Sequence, residues 1–279
     1  MASPSSRPPR PLPITAVVLT RNEAVNLPYC LGSLTGRVED IVVVDSNSAD
    51  DIQAIAQAAG ARFVMFTWSG APPLKKQWAL THAAGRQAWT LLLDADEAVP
   101  VHAWPAIRVA IDQPNGPDGF MVPFRNWFGG RPLTFGRRNR KLCLFRTGSA
   151  KFTQPEFVDP TWEVEGHVQP VLAGQIGSLA ARLEHHDRRP LFDYFDRHNR
   201  YSEWPDPTAG ETQPRLRSIA KRVFYRLPAR PLWAFLDTFI IQLGFLDGSA
   251  GFDFAMARAF YYWQIDAKRR ALRHSNSEM

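Results

Sequence analysis

Cysteine is nearly missing from this chain. Two occur in 279 residues, Cys30 and Cys143, in segments that read as helix and strand. That argues against a disulfide scaffold or a cysteine-based metal centre and fits a reducing compartment. Long apolar runs are missing too. The richest stretch, Leu232 to Phe245, is interrupted by Asp237 and falls short of the roughly 20 apolar residues that cross a bilayer. Residues 1–13 are rich in Pro, Ser and Arg without an apolar core, which reads as a disordered lead-in and not as a signal peptide. There is no internal repeat. No helix-turn-helix, aromatic RNA-binding motif or zinc-finger spacing accompanies the net charge of +6, so no nucleic-acid partner is expected.

What remains is a chain with 45% hydrophobic residues, enough to bury a sizeable core. Its N-terminal part alternates apolar strands with helical patterns. Ile14 to Leu19 reads as a strand, broken by Thr20-Arg21-Asn22-Glu23 and followed by a helix through Leu27, Leu31 and Leu34. Ile41 to Val44 ends in Asp45 and the loop Ser46-Asn47-Ser48. A helix over about Asp50 to Ala59, a strand from Arg62 to Phe66, a helix from Lys75 to Ala84 and a strand from Trp89 to Leu93 follow. Continuous apolar strands alternating with helices predict an α/β fold with a mainly parallel sheet covered on both faces.

The strand ends carry the chemistry. Leu91-Leu92-Leu93 stops abruptly in Asp94-Ala95-Asp96-Glu97. Such a strand delivers two carboxylates to the sheet edge where α/β folds bind ligands. Two hard oxygen donors there suit a divalent cation, Mg²⁺ or Mn²⁺, that itself holds phosphates. The alternative is a strand-end turn with solvated acids. Asn22 with Glu23, Asp45, and Asp94 with Asp96 then converge on one side of the sheet.

In order, Thr20-Arg21-Asn22-Glu23, the Val-Val-Val-Asp45-Ser46 strand end and Leu-Asp94-Ala-Asp96-Glu97 resemble the inverting family 2 glycosyltransferases of GT-A fold. The resemblance spans about residues 14–190. It is most similar to bacterial lipopolysaccharide-core and surface-polysaccharide enzymes, which are also alike in Lys75-Lys76-Gln77-Trp78-Ala79-Leu80 and Gly244-Phe245-Leu246-Asp247-Gly248. It implies a 14–190 catalytic domain and a 191–279 helical, basic and apolar extension. The implied reaction moves a sugar from a nucleotide sugar, a UDP-sugar by expectation, to a saccharide or lipid-linked acceptor.

The resemblance also implies residue roles. Asp94 and Asp96 hold the metal and the diphosphate, with Asp96 the more direct contact. Asp45 hydrogen-bonds the base or ribose, although an Asp after a strand is also a common helix N-cap. Thr20, Asn22 and Glu23 line the nucleotide pocket, unless Glu23 only stabilises the dipole of the first helical turn. Lys76, or Lys75, reaches base or phosphate unless it is simply solvated. An inverting enzyme needs a carboxylate to take the acceptor hydroxyl's proton. Glu165 in Glu163-Val164-Glu165-Gly166-His167 is the expected base. Relatives often carry His-Glu there, and Glu163 shares the same strand face and competes for the role.

His185-His186-Asp187 follows a strand expected over Leu179 to Leu183. One histidine, taken as His186, is expected to add a third metal or phosphate contact, against the alternative of a polar loop closing the domain. His167 and His198 read as structural. Trp127, Phe128 and Trp162 stack on sugar or fill core. Arg137, Arg138, Arg140 and Lys141 form one basic patch. Arg215, Arg217, Lys221, Arg222, Arg226 and Arg230 form another, interleaved with Ile219, Val223, Phe224 and Leu227. That segment and the apolar one after it read as peripheral contact with an anionic membrane at the cytoplasmic face, or as helices packing on the catalytic domain or a dimer seam. Two other classes stand beside the enzyme: a degenerate sugar- or lipid-binding scaffold, and a haloacid-dehalogenase-like phosphatase, whose pattern Ala98 does not match.

Overall fold

A computed structural model describes residues 10–136, 139–153, 169–203, 224 and 229–277. In chain order the elements are β1 (Leu12–Thr20), α1 (Leu27–Leu34), β2 (Val38–Asp45), α2 (Ile52–Ala58), β3 (Arg62–Met65), α3 (Lys75–His82), β4 (Trp89–Asp94), β5 (Glu97–Ala98), α4 (Trp104–Ile111), β6 (Gly119–Phe128), β7 (Arg131–Pro132), β8 (Asn139–Arg146), β9 (Ala150–Lys151), β10 (Val171–Leu172), β11 (Ile176–Ser178), β12 (Leu183–His185), α5 (Leu191–Tyr201), α6 (Arg230–Leu236) and α7 (Gly248–Ser277). Two compact units emerge, one of residues 1–124 and 140–185, the other of residues 125–139 and 186–279.

The first unit is built on a sheet ordered β3-β2-β1-β4-β8-β6-β12-β5, parallel from β3 through β4 and antiparallel where β8 meets β4. The fold is the α/β arrangement with a mainly parallel sheet that the sequence predicts. Its strands are apolar on both faces because both are covered. Ile14, Ala16 and Val18 point into one cluster with Leu91 and Leu93, and Val17 and Leu19 into another with Val42, Val44 and Leu92. Helix α1 buries Leu27, Cys30, Leu31 and Leu34, one face at helical spacing, and Pro28 sits in its first turn where no N–H is needed. Cys30 and Cys143 are both free and buried.

Parallel register sets the functional edge. Thr20 pairs with Asp45, and Leu19 with Asp94, so the C-terminal ends of β1, β2 and β4 stop side by side. One strand differs from expectation. Leu179 to Leu183 is not a strand; the chain bends at Ala180 and Ala181 between β11, which pairs with β6, and β12, which pairs with β5. Two short strands, both beside β6, replace the single run.

The second unit is helical. After α6 the chain widens through a π-turn at Asp237–Ile241 and tightens through a 3₁₀ turn at Gly244–Asp247 before entering α7. Asp237, read from sequence as an interruption, accepts a hydrogen bond from Gln242 Nε2 at 2.7 Å. The Gly-Phe-Leu-Asp-Gly segment is a structural knot. Asp247 accepts the backbone N–H groups of Thr134 and Phe135 at 3.0 and 2.9 Å. Gly248, at φ +63 and ψ −136, adopts a conformation open to glycine alone. A Cβ on Gly251 would lie 1.9 Å from the carbonyl oxygen of Gly244. Gly251→Ala therefore forces two backbones apart, and we expect a loss of about 3 kcal/mol, read as a lowered chemical-denaturation midpoint. An unchanged midpoint would show that this close approach is dispensable.

Arg230, counted from sequence in a solvent-facing basic patch, is instead buried and ion-paired with Asp266. A buried arginine needs that partner, since an unpaired charge there is prohibitively costly. Leu232, Ile240, Ile241, Phe245, Leu246 and Trp263 are exposed. Among the described residues no helix is long and apolar enough to cross a membrane.

Candidate active site

The ends of β1 and β2 form an interlocked pair of loops. The buried Asp45 carboxylate accepts Thr20 Oγ1 at 2.9 Å and Ser48 Oγ at 2.5 Å on Oδ1, and the Ser48 N–H at 2.8 Å on Oδ2. Asp45 thus shapes the Ser46–Ser48 loop and is not the N-cap of α2, which is Asp51. Asn22, in the left-handed region at φ +53, donates its N–H to Ser48 Oγ at 2.8 Å and accepts the Ala49 N–H at 2.9 Å on Oδ1. Asn tolerates that backbone because its short polar chain bonds locally. Glu23 accepts Asn26 Nδ2 at 2.7 Å, and its carbonyl oxygen accepts the first N–H groups leading into α1. Lys75 Nζ donates to the Thr20 carbonyl at 2.5 Å, while Lys76 Nζ lies 6.0 Å from the Phe152 ring. Ser46 Oγ and Asp50 Oδ1 are buried with no hydrogen-bond partner among the described residues, which is uncommon for such groups.

The acidic turn after β4 lies beside this loop pair. Asp94, Asp96 and Glu97 are arranged with two cations, Lys141 and His185. Lys141 Nζ is 2.8 Å from both Asp94 Oδ2 and Glu97 Oε2, and the same Glu97 oxygen accepts the Asp94 N–H at 2.9 Å. His185 Nε2 is 3.3 Å from Asp96 Oδ2. Burial opposes the charged form of each group, and their partners decide the outcome. For Asp94, Lys141 and then Lys76 outweigh burial and hold the carboxyl far below its usual range. Burial dominates at Glu97, and its pKa is pushed up to about 7. The Asp96 carboxylate overcomes burial at His185 and pushes it up to about 9, so this imidazole is a cation at neutral pH. Lys141 is likewise locked in its charged form by Asp94 and Glu97 against burial.

The structure thus redistributes several sequence expectations. His185, at the end of β12, is the histidine brought to Asp96. His186, favoured from sequence, stacks on Trp127 in the second unit with ring centroids 4.3 Å apart and planes within 8°. His185 is the last residue of β12, and His186 lies beyond it in the second unit. Lys141, assigned from sequence to a solvated basic patch, is enclosed by carboxylates. Phe128 is core, packed on Tyr194 and Phe254, and His198 stacks on Tyr194 and donates from Nδ1 to its carbonyl at 2.8 Å. Glu163, Glu165, Trp162 and His167 lie outside the described residues, as do Arg137 and Arg138.

Does the donor set suit a divalent cation? Among the described residues no three His, Cys, Asp or Glu groups are gathered as a metal cage. A cation that arrives with a diphosphate does not require one. Mg²⁺ binds through one or two carboxylates plus substrate phosphates and water. Asp94, with its side chain 44% exposed, and Asp96 match that mode in chemistry and position.

The family model for glycosyl transferase family 2 matches residues 15–162, more than half of the chain. The chain belongs to this family. It is a glycosyltransferase, and the family's GT-A class agrees with the α/β sheet described above. Relatives agree. A lipopolysaccharide core biosynthesis glycosyltransferase, LpsC, of Rhizobium meliloti is 29% identical over 92% of both chains. An uncharacterized glycosyltransferase of Rickettsia felis is 25% identical over 92% of this chain and 89% of its own. A TPR repeat-containing protein of Synechococcus elongatus is 36% identical over 57% of this chain, which spans only 41% of that protein. Among solved structures, S. aureus TarS 1-349 aligns over 92% of this chain and 91% of its own at 13% identity and a TM-score of 0.44.

Proposed function

We propose that this glycosyltransferase is a metal-dependent inverting enzyme that moves a sugar from a nucleotide sugar, UDP-linked by expectation, to a saccharide or lipid-linked acceptor of a bacterial surface polysaccharide. The observation that carries the reading is the register that ends β1, β2 and β4 together, putting Thr20, Asp45 and Asp94 on one edge with Asp96 immediately after. The interlocked Asn22 and Ser48 loops, with the unsatisfied Ser46 and Asp50 oxygens, support nucleotide binding at that edge. Lys76 supplies positive potential toward the diphosphate, as its effect on Asp94 indicates. Asp94 and Asp96 would hold Mg²⁺ or Mn²⁺, which supplies Lewis-acid neutralisation of the departing diphosphate. Glu165 would accept the acceptor hydroxyl's proton as that oxygen bonds to the anomeric carbon and the nucleoside diphosphate leaves. Full-length similarity to LpsC supports the acceptor class.

The exposed apolar side chains of the helical unit, following a basic sequence segment, support peripheral attachment of residues 191–279 to an anionic membrane at its inner face. Flotation on anionic vesicles, weakened by salt, is the check on that part. For the donor site, UDP or a UDP-sugar with Mn²⁺ should raise the melting temperature. Ligand at 100-fold above Kd adds about 2.7 kcal/mol. No shift with any nucleotide sugar in a broad panel would refute the donor assignment.

A further inference from the structure

Strands β4 and β8 pair antiparallel, Trp89 opposite Arg146, Thr90 opposite Phe145 and Leu91 opposite Leu144. Past those pairs, Asp94 ends β4 and Lys141 lies near the start of β8, so the two strands bring both to one end of the sheet. Here the ammonium lies 2.8 Å from Asp94 Oδ2 and 2.8 Å from Glu97 Oε2. Glu97 in turn accepts the Asp94 N–H, closing a small ring around the acidic turn. Exposure is graded around it: the Asp94 side chain is 44% exposed, Lys141 18% and Glu97 7%. A cation arriving from solvent therefore meets Asp94, whose Oδ2 already holds an ammonium.

We propose that Lys141 is the resident cation that a divalent metal ion must displace or offset at Asp94, so that this lysine sets the metal affinity of the free enzyme. The inference rests on the metal-site reading above and assigns to Lys141 a positioning role that the reading lacks. A divalent ion on Asp94 and an ammonium 2.8 Å from the same carboxylate repel each other strongly at such separations. The free protein consequently holds metal weakly. A nucleoside diphosphate brings negative charge that accommodates both cations, so metal and donor bind together and not one by one. Coupling of this kind is reciprocal between the two ligands.

The experiment titrates Mn²⁺ into the full chain by electron paramagnetic resonance, with and without UDP. The proteins are wild type, Lys141→Met, Lys141→Gln and Lys141→Arg. Lys141→Met removes the charge at similar length. Lys141→Gln also keeps a hydrogen-bond donor toward Glu97 and serves if the Met variant does not fold. Both uncharged variants should bind Mn²⁺ about tenfold or more tightly without UDP, and UDP should enhance that binding less than in wild type. Removing a competing state raises apparent affinity by the fraction it had occupied. Lys141→Arg, which keeps the cation, should stay within about threefold of wild type. If the folded uncharged variants bind Mn²⁺ no tighter than a wild type that does bind it, the competition is refuted and Lys141 is only a scaffold. If no protein binds Mn²⁺ even with UDP, the metal site itself is wrong and the proposal falls with it.

Discussion

Asp96→Ala should abolish sugar transfer while leaving the fold intact. Asp96 follows β4 in a turn whose neighbours Ala95, Glu97 and Ala98 are buried by their own contacts, and the sheet pairs of β4 end at Asp94. Removing its carboxylate loses the pairing with His185 at 3.3 Å but no sheet hydrogen bond. The chemical loss is far larger. Under the proposed metal site, the cation would be poorly held without the second carboxylate, and the charge neutralisation it would supply is worth several kcal/mol at the transition state. That corresponds to a drop of about 10³-fold or more in turnover. Mn²⁺-dependent nucleotide binding should weaken in parallel, while circular dichroism and the melting curve stay near wild type. Near-normal turnover in this variant would remove Asp96 from the metal site.

Glu165→Gln should keep donor binding and lose turnover by about 10²–10⁴-fold, the range for a missing general base. The amide is isosteric with the carboxylate yet cannot accept a proton, so a loss confined to kcat separates chemistry from binding. Glu163→Gln is the paired control, because Glu163 is the competing candidate in the sequence. Full activity in Glu165→Gln together with loss in Glu163→Gln would move the base to Glu163.

The sheet was legible because its strands are apolar on both faces and each ends in a polar break. Leu19 to Thr20, Val44 to Asp45 and Leu93 to Asp94 mark the functional edge from local pattern alone. What was not legible depends on pairing between distant segments. Lys141 looked like one more base in a basic run, and only the β4–β8 pairing places it against Asp94. The choice between His185 and His186 turned on where β12 ends. That depends on its antiparallel pairing with β5, in which His185 faces Glu97. Arg230 carried no sign of its burial, since its partner Asp266 lies on a separate helix. Gly251 is a plain helical residue until the Gly244 carbonyl is seen against it.

Release of nucleoside diphosphate from a panel of nucleotide sugars, followed with Mn²⁺ and again after chelation with EDTA, tests the central claim most directly. A metal-dependent transferase releases the diphosphate slowly by hydrolysis even without its acceptor. The activity should disappear with EDTA, return when Mn²⁺ is restored in excess, and be absent in Asp96→Ala. Turnover that persists undiminished in EDTA would contradict the metal-dependent mechanism built on Asp94 and Asp96.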